Sequence, residues 1–124
     1  MIWAMSEGQR YRTRISNGSE AAFADATPDK GGAGAGFRPH ELLEAALAAC
    51  VNMSVRMVAD RRAIPLESVT TRVHLERGPE GAVFHTEVEL VGDSLTPKQR
   101  EMLMQAAQAC PVRRTLSGPL RVAE

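Results

Sequence analysis

Between Pro39 and the pair Ile64-Pro65 the chain holds a long, alanine-rich stretch in which Leu43, Leu47, Cys50, Met53, Met57 and Val58 recur at helical spacing. Pro39 suits a first helical turn, and the spacing predicts a helix from Pro39 to about Arg61. Only Glu41, Glu44, Asn52, Arg56 and Arg62 mark a polar stripe, so most of this helix's circumference must be covered. A chain of 124 residues reads as one domain, residues 1–124, whose core is modest for that task. Leu43, Ala46, Leu47, Val51 and Val55 spread apolar surface beyond what one small subunit can cover. A homodimer built on this helix is therefore expected.

No uninterrupted apolar run approaches bilayer length, and the opening Met1-Ile2-Trp3-Ala4-Met5-Ser6-Glu7 meets an acid before a signal-peptide core can form. The expectation is a cytoplasmic protein without a membrane partner. The 15 Lys and Arg are balanced by 15 Asp and Glu, which removes the broad attraction that nucleic acids and anionic lipids require.

Around the helix the pattern is α+β. Tyr11–Ile15 and Ala21–Ala26 read as strands joined through Ser16-Asn17-Gly18-Ser19, and alternation places Arg10, Arg12 and Arg14 on one face. Gly31 to Gly36 reads as a flexible loop; it lacks the Lys-Ser/Thr of a phosphate loop and the spacing of a dinucleotide site. Val69, Thr71, Val73 and Leu75 alternate with polar residues, as do Phe84, Thr86, Val88 and Leu90, with a turn at Gly78-Pro79-Glu80-Gly81. Thr96-Pro97 starts a helix with Leu103, Ala106, Ala107 and Cys110 on its buried side. Pro111 starts a short helix ended by Gly118, and Leu120–Val122 can add a last strand.

The two cysteines sit in different settings. Cys50 lies mid-helix among apolar residues, where burial raises a thiol's pKa and no helix end assists; it needs an outside cation, for which Arg10, Arg12 or Arg14 are candidates. Cys110, before Pro111, is an N-cap, where backbone N–H groups favour a thiolate. Such a pair suits a nucleophile and a resolving partner, whose bond in a reducing compartment is transient; two inert buried thiols are the plain alternative. His40, His74 and His85 form no ligand spacing with them, so neither metal nor cofactor is expected. Met53, Met57, Met102 and Met104 suit a core, or a pocket for a varied alkyl group.

Pro39-His40-Glu41-Leu42-Leu43, Ala45-Ala46-Leu47-Ala48-Ala49-Cys50, and Ala109-Cys110-Pro111-Val112-Arg113-Arg114-Thr115-Leu116, separated by a hairpin, together resemble the OsmC/Ohr family of osmotically inducible and organic hydroperoxide resistance proteins. The likeness runs from about Asp25 to the C-terminus. It implies antiparallel sheets around a long central helix in an intertwined homodimer. It also implies a thiol peroxidase acting on organic hydroperoxides or hydrogen peroxide. Cys50 is then the peroxidatic thiolate and Cys110 the resolving thiol. An external dithiol, typically a lipoylated protein, is the reductant, with no metal or flavin.

In the peroxidase branches an acid commonly follows the motif proline and anchors a catalytic arginine. Here that place is His40 and the acid is Glu41, displaced by about a third of a turn, with Glu44 the second choice. The alternative function is a non-catalytic dimer of the same fold that binds a small apolar ligand or senses thiol oxidation.

Overall fold

The stripe Leu47, Val51, Val55 and Ala59 follows an i, i+4 rule, and these are the fully buried residues of a 23-residue helix, α1 (Pro39–Arg61). The computed structural model describes residues 1–124, which form two compact units, Met1–Leu43 and Glu44–Glu124.

α1 starts where the sequence places it. Pro39 occupies the first turn, and the Glu41 carboxylate turns back to accept the Arg38 N–H at 2.8 Å. Its end is a Schellman turn: Ile64 N–H donates to Ala59 O at 2.8 Å and Ala63 N–H to Asp60 O at 3.4 Å. Ile64 and Ala59 are both buried in the same apolar core. Ala63, not glycine, adopts the left-handed conformation this turn requires, with φ 51°. By length and composition α1 could cross a membrane, with mean hydropathy 1.5, although 22% of that window is buried within the protein. That average does not make an uninterrupted run of bilayer length, since Glu44, Asn52 and Arg56 break the helix's apolar sequence.

In the second unit the buried stripe meets a hairpin, β4 (Ser68–Gly78) and β5 (Gly81–Val91). The register sets Val69 opposite Leu90, Thr71 opposite Val88, Val73 opposite Thr86 and Leu75 opposite Phe84, so every inward residue faces another inward residue. Two polar groups within this helix–sheet contact answer each other, Thr71 Oγ1 donating to Asn52 Oδ1 at 3.1 Å. α2 (Pro97–Gln108) brings Leu103 and Ala107 to the same core. Its N-terminus is a full capping box: Gln99 N–H donates to Thr96 Oγ1, and Thr96 N–H to the Gln99 side chain. α3 (Pro111–Ser117) follows at once, with Cys110 as N-cap. The expected last strand is not formed; Leu120 and Val122 are exposed and pair with nothing.

The first unit is a three-stranded antiparallel sheet in the order β1 (Trp3–Ser6), β2 (Thr13–Ser16), β3 (Ala21–Ala24). The Asn17 side chain accepts from Ser19 and Glu20 N–H and closes the β2–β3 turn. The glycine segment is not a loose linker. Asp25, 4% exposed, accepts backbone N–H bonds from Ala26, Ala33 and Ala35, and Phe37 returns to β3 through Phe37 N–H on Phe23 O at 2.9 Å. These bonds, the Ala35 N–H foremost, hold the carboxyl below its ordinary pKa, so the support they give is present at neutral pH and lost as pH falls through the depressed value. Gly32 and Gly36 allow the close approach: a Cβ there would stand 2.0 Å from Ala26 O and 2.5 Å from Phe23 O.

A left-handed alanine is a removable cost. Ala63→Gly is expected to raise stability by about 1 kcal/mol, read as a higher urea midpoint at unchanged slope; a lower midpoint would show that Ala63 is not strained.

Candidate active site

Cys50 lies on α1 one turn before Ser54, and the start of α3 delivers Cys110 and Val112 to it. Burial opposes ionisation of Cys50. Against it act three donors, the Val112 N–H, the Cys110 S–H and the Ser54 O–H, and together they bring its pKa below the usual thiol value. Cys110 is fully buried and moves the other way. Desolvation is the main cause; the Arg113 N–H, which donates to Cys110 Sγ at 3.3 Å, opposes it, and the neighbouring Cys50 adds to it. The two thiols are thus shifted in opposite directions, and Cys50 is the more readily ionised of the pair. Both sulfurs are free thiols, and Cys50 is the one with solvent access.

This reverses the electrostatic reading of the sequence. There Cys110, at a helix start, had the better claim to be ionised, and Cys50 had no helix end to draw on. In the fold the first turn of α3 serves both sulfurs, because Val112 N–H reaches Cys50. Complete burial then decides against Cys110.

The other candidates belong to the first unit, each with its own surroundings. Arg10 is not on a strand; it sits in the turn between β1 and β2 with φ 32°, and its Nη1 donates to Gly31 O at 3.3 Å. Arg12 stands just before β2, so of the three only Arg14 lies on the strand and the expected common strand face is not formed as read. Arg12 lies 4.1 Å above the Phe23 ring and donates to Ala35 O at 2.8 Å; Arg14, opposite Phe23 in the register, makes no side-chain hydrogen bond or ion pair. Glu41 is engaged with Arg38, whose backbone N–H lowers its pKa first and whose Nε lies 3.4 Å away. In the second unit Glu44 accepts the Leu75 N–H at 2.8 Å, closing a free donor on β4, and lies 3.9 Å from His74 Nδ1. His40 is exposed, and His74 stacks on His85 across the hairpin. No three metal-ligating side chains converge.

Two participants escaped the sequence reading. Ser54 had a signal, its position four residues after Cys50 on the same helix. Val112 had none, since a backbone N–H carries no residue signature.

The sequence profile of the OsmC-like proteins matches residues 31–124. The chain belongs to the OsmC-like family. No protein of curated function matches it. Among solved structures, a putative osmotic stress induced and detoxification response protein from Psychrobacter arcticus is similar at 22% identity and TM-score 0.75, over 92% of this chain and 85% of that one. An organic hydroperoxide resistance protein OsmC from Legionella pneumophila, described also as a predicted redox protein, is similar at 26% identity and TM-score 0.66, over 95% and 88%. An OsmC-like protein from Mycoplasma pneumoniae shows the same fold at 20% identity and TM-score 0.73, over 95% and 86%. The α+β architecture with two antiparallel sheets is that of the family.

Alkylation near neutral pH is expected to modify Cys50 before Cys110, and Ser54→Ala, which removes one donor, should move the Cys50 alkylation profile to higher pH. Peptide-resolved mass spectrometry checks both. Prior labelling of Cys110 would reverse the assignment.

Proposed function

We propose that this OsmC-like protein is a cysteine-based peroxidase that reduces organic hydroperoxides or hydrogen peroxide. The supporting observation is the placement of a partly exposed Cys50, the more acidic of the two thiols, beside a fully buried Cys110. The Cys50 thiolate attacks the distal peroxide oxygen; the O–O bond breaks, the leaving oxygen takes a proton and departs as alcohol or water, and Cys50 becomes a sulfenic acid. Cys110 then displaces that hydroxyl, giving a Cys50–Cys110 disulfide and one water. Two electrons from an external dithiol, of the lipoyl type, restore both thiols.

Arg10, Arg12, Arg14 and Glu41 enter the proposal as the cation and carboxylate of the peroxide site. Within the first unit Arg10, Arg12 and Glu41 are engaged by Gly31, Ala35 and Arg38. Arg14 is the unengaged one and the first to test.

The active form in this reading is a homodimer. At about 100° per residue, Leu43, Ala46, Ala49, Met53 and Met57 share one side of α1, next to the buried stripe. All five are exposed, Met53 at 54% and Met57 at 50%. Cys50 falls in the same angular sector, so a second copy covering this side would wall the sulfur with apolar and thioether groups suited to an alkyl peroxide. The reading includes a soluble, cytoplasmic protein in which a second copy, not lipid, covers α1.

Cys50→Ser should abolish peroxide consumption, whereas Cys110→Ser should still take up one oxygen atom per subunit, trapped on Cys50 and weighed by mass spectrometry. Turnover that survives Cys50→Ser would defeat the proposal, and a parent thiol that oxidises no faster than a free one would favour the ligand-binding or sensing dimer.

For the dimer, sedimentation equilibrium at micromolar concentration should return twice the chain mass, and Met53→Lys with Met57→Lys should shift the population toward monomer and lower the melting temperature. A well-folded parent monomer would exclude it.

A further inference from the structure

α3 is seven residues long and buries none of its own side chains; half-buried Val112 and Leu116 are its apolar holds on the core. Yet its first turn carries the N–H that reaches Cys50 and the N–H that reaches Cys110. Something must fix that turn against the sheet. One residue touches both sides of the problem: Arg113 gives its backbone N–H to Cys110 Sγ at 3.3 Å, while its Nη2 donates to Thr86 Oγ1 at 3.1 Å. Thr86 is an inward-facing residue of β5, opposite Val73.

The guanidinium is held at a standing cost. Its Nε is buried and has no hydrogen-bond partner, and an unpaired buried donor opposes folding. A residue that merely filled this space would be apolar. The long reach, the single directed bond to a strand and the tolerated unpaired N–H are features of a strut between α3 and β5.

We infer that Arg113, braced on Thr86, is a positioning residue for the thiol pair, holding the first turn of α3 so that Val112 N–H stays on Cys50 and Cys110 stays beside it. This rests on the thiol-peroxidase reading of the site but is tested without peroxide. The titratable group bonded to Cys50 is the Cys110 thiol, so a change in Cys50 reactivity reports on the placement of the α3 turn.

The experiment is the pH profile of Cys50 alkylation by iodoacetamide in the full chain, followed on the Cys50 peptide, for the parent, Thr86→Val, Thr86→Ser and Arg113→Gln. Thr86→Val keeps the shape of the side chain and removes the acceptor. It is expected to move the profile to higher pH and to slow alkylation at neutral pH roughly three- to tenfold, the worth of one hydrogen bond. Arg113→Gln should do the same. Thr86→Ser, which keeps the hydroxyl, should coincide with the parent. A parent-like profile for Thr86→Val overturns the inference, as does a Thr86→Ser profile displaced as far as that of Thr86→Val, which would assign the effect to packing of the methyl group. Where Arg113→Gln fails to fold, the Thr86 pair decides alone. Loss of peroxide turnover in the parent would instead count against the peroxidase reading, and the two failures are seen separately.

Discussion

Everything in the second unit hangs on the burial of four small or medium residues, Leu47, Val51, Val55 and Ala59, along one side of α1. A two-stranded hairpin is marginal by itself in water, and β4–β5 gains its support by laying Val69, Val73, Val88 and Leu90 against that stripe. Fully burying a leucine or valine is worth about 1.5–3 kcal/mol, so this contact outweighs any single polar bond nearby. It also fixes where the chemistry is. Cys50 is neighbour to Leu47 and Val51 on the helix, and seating the stripe brings the sulfur beside Cys110 and Val112, where α2 gives way to α3.

The elements set by local rules could be read from the chain. Pro39 and the spacing that follows it gave α1 its observed limits, Thr96-Pro97 and Cys110-Pro111 marked two helix starts, and strict alternation identified which residues of β4 and β5 turn inward. Where a residue's place depends on partners distant in sequence, the reading stopped. β1 has no inward face, its four residues all being exposed, and it exists through backbone pairing with β2 alone. Leu120–Val122 has the strand-like composition but pairs with no strand. Asp25, read as part of a strand that ends at Ala24, instead gathers three backbone N–H groups.

The site shows the same division. The sequence located both thiols and the family to which they belong, because Cys-Pro at a helix start and an alanine-rich approach to a mid-helix cysteine are visible as letters. It misjudged their acidity, because the deciding donors were a backbone N–H on a remote helix and the complete burial of Cys110. Helix ends are usually considered for the residue that caps them. Here the turn that Cys110 caps also serves a sulfur on another helix.

If the pair cycles as proposed, the unequal burial of the two sulfurs carries over to the reduction of their disulfide. In thiol–disulfide exchange the incoming thiolate prefers to expel the more acidic sulfur, which would direct attack to Cys110 and release Cys50, the sulfur whose surroundings lower its pKa. Yet Cys110 is wholly enclosed, and the sulfur open to a visitor is Cys50. Access and leaving-group preference point to opposite atoms. A reductant slim enough to meet Cys50 must expel the poorer leaving group, and one that follows the easier chemistry must first loosen the short helix over Cys110. On the proposed peroxidase cycle, loosening of those seven residues would then set the supply of electrons.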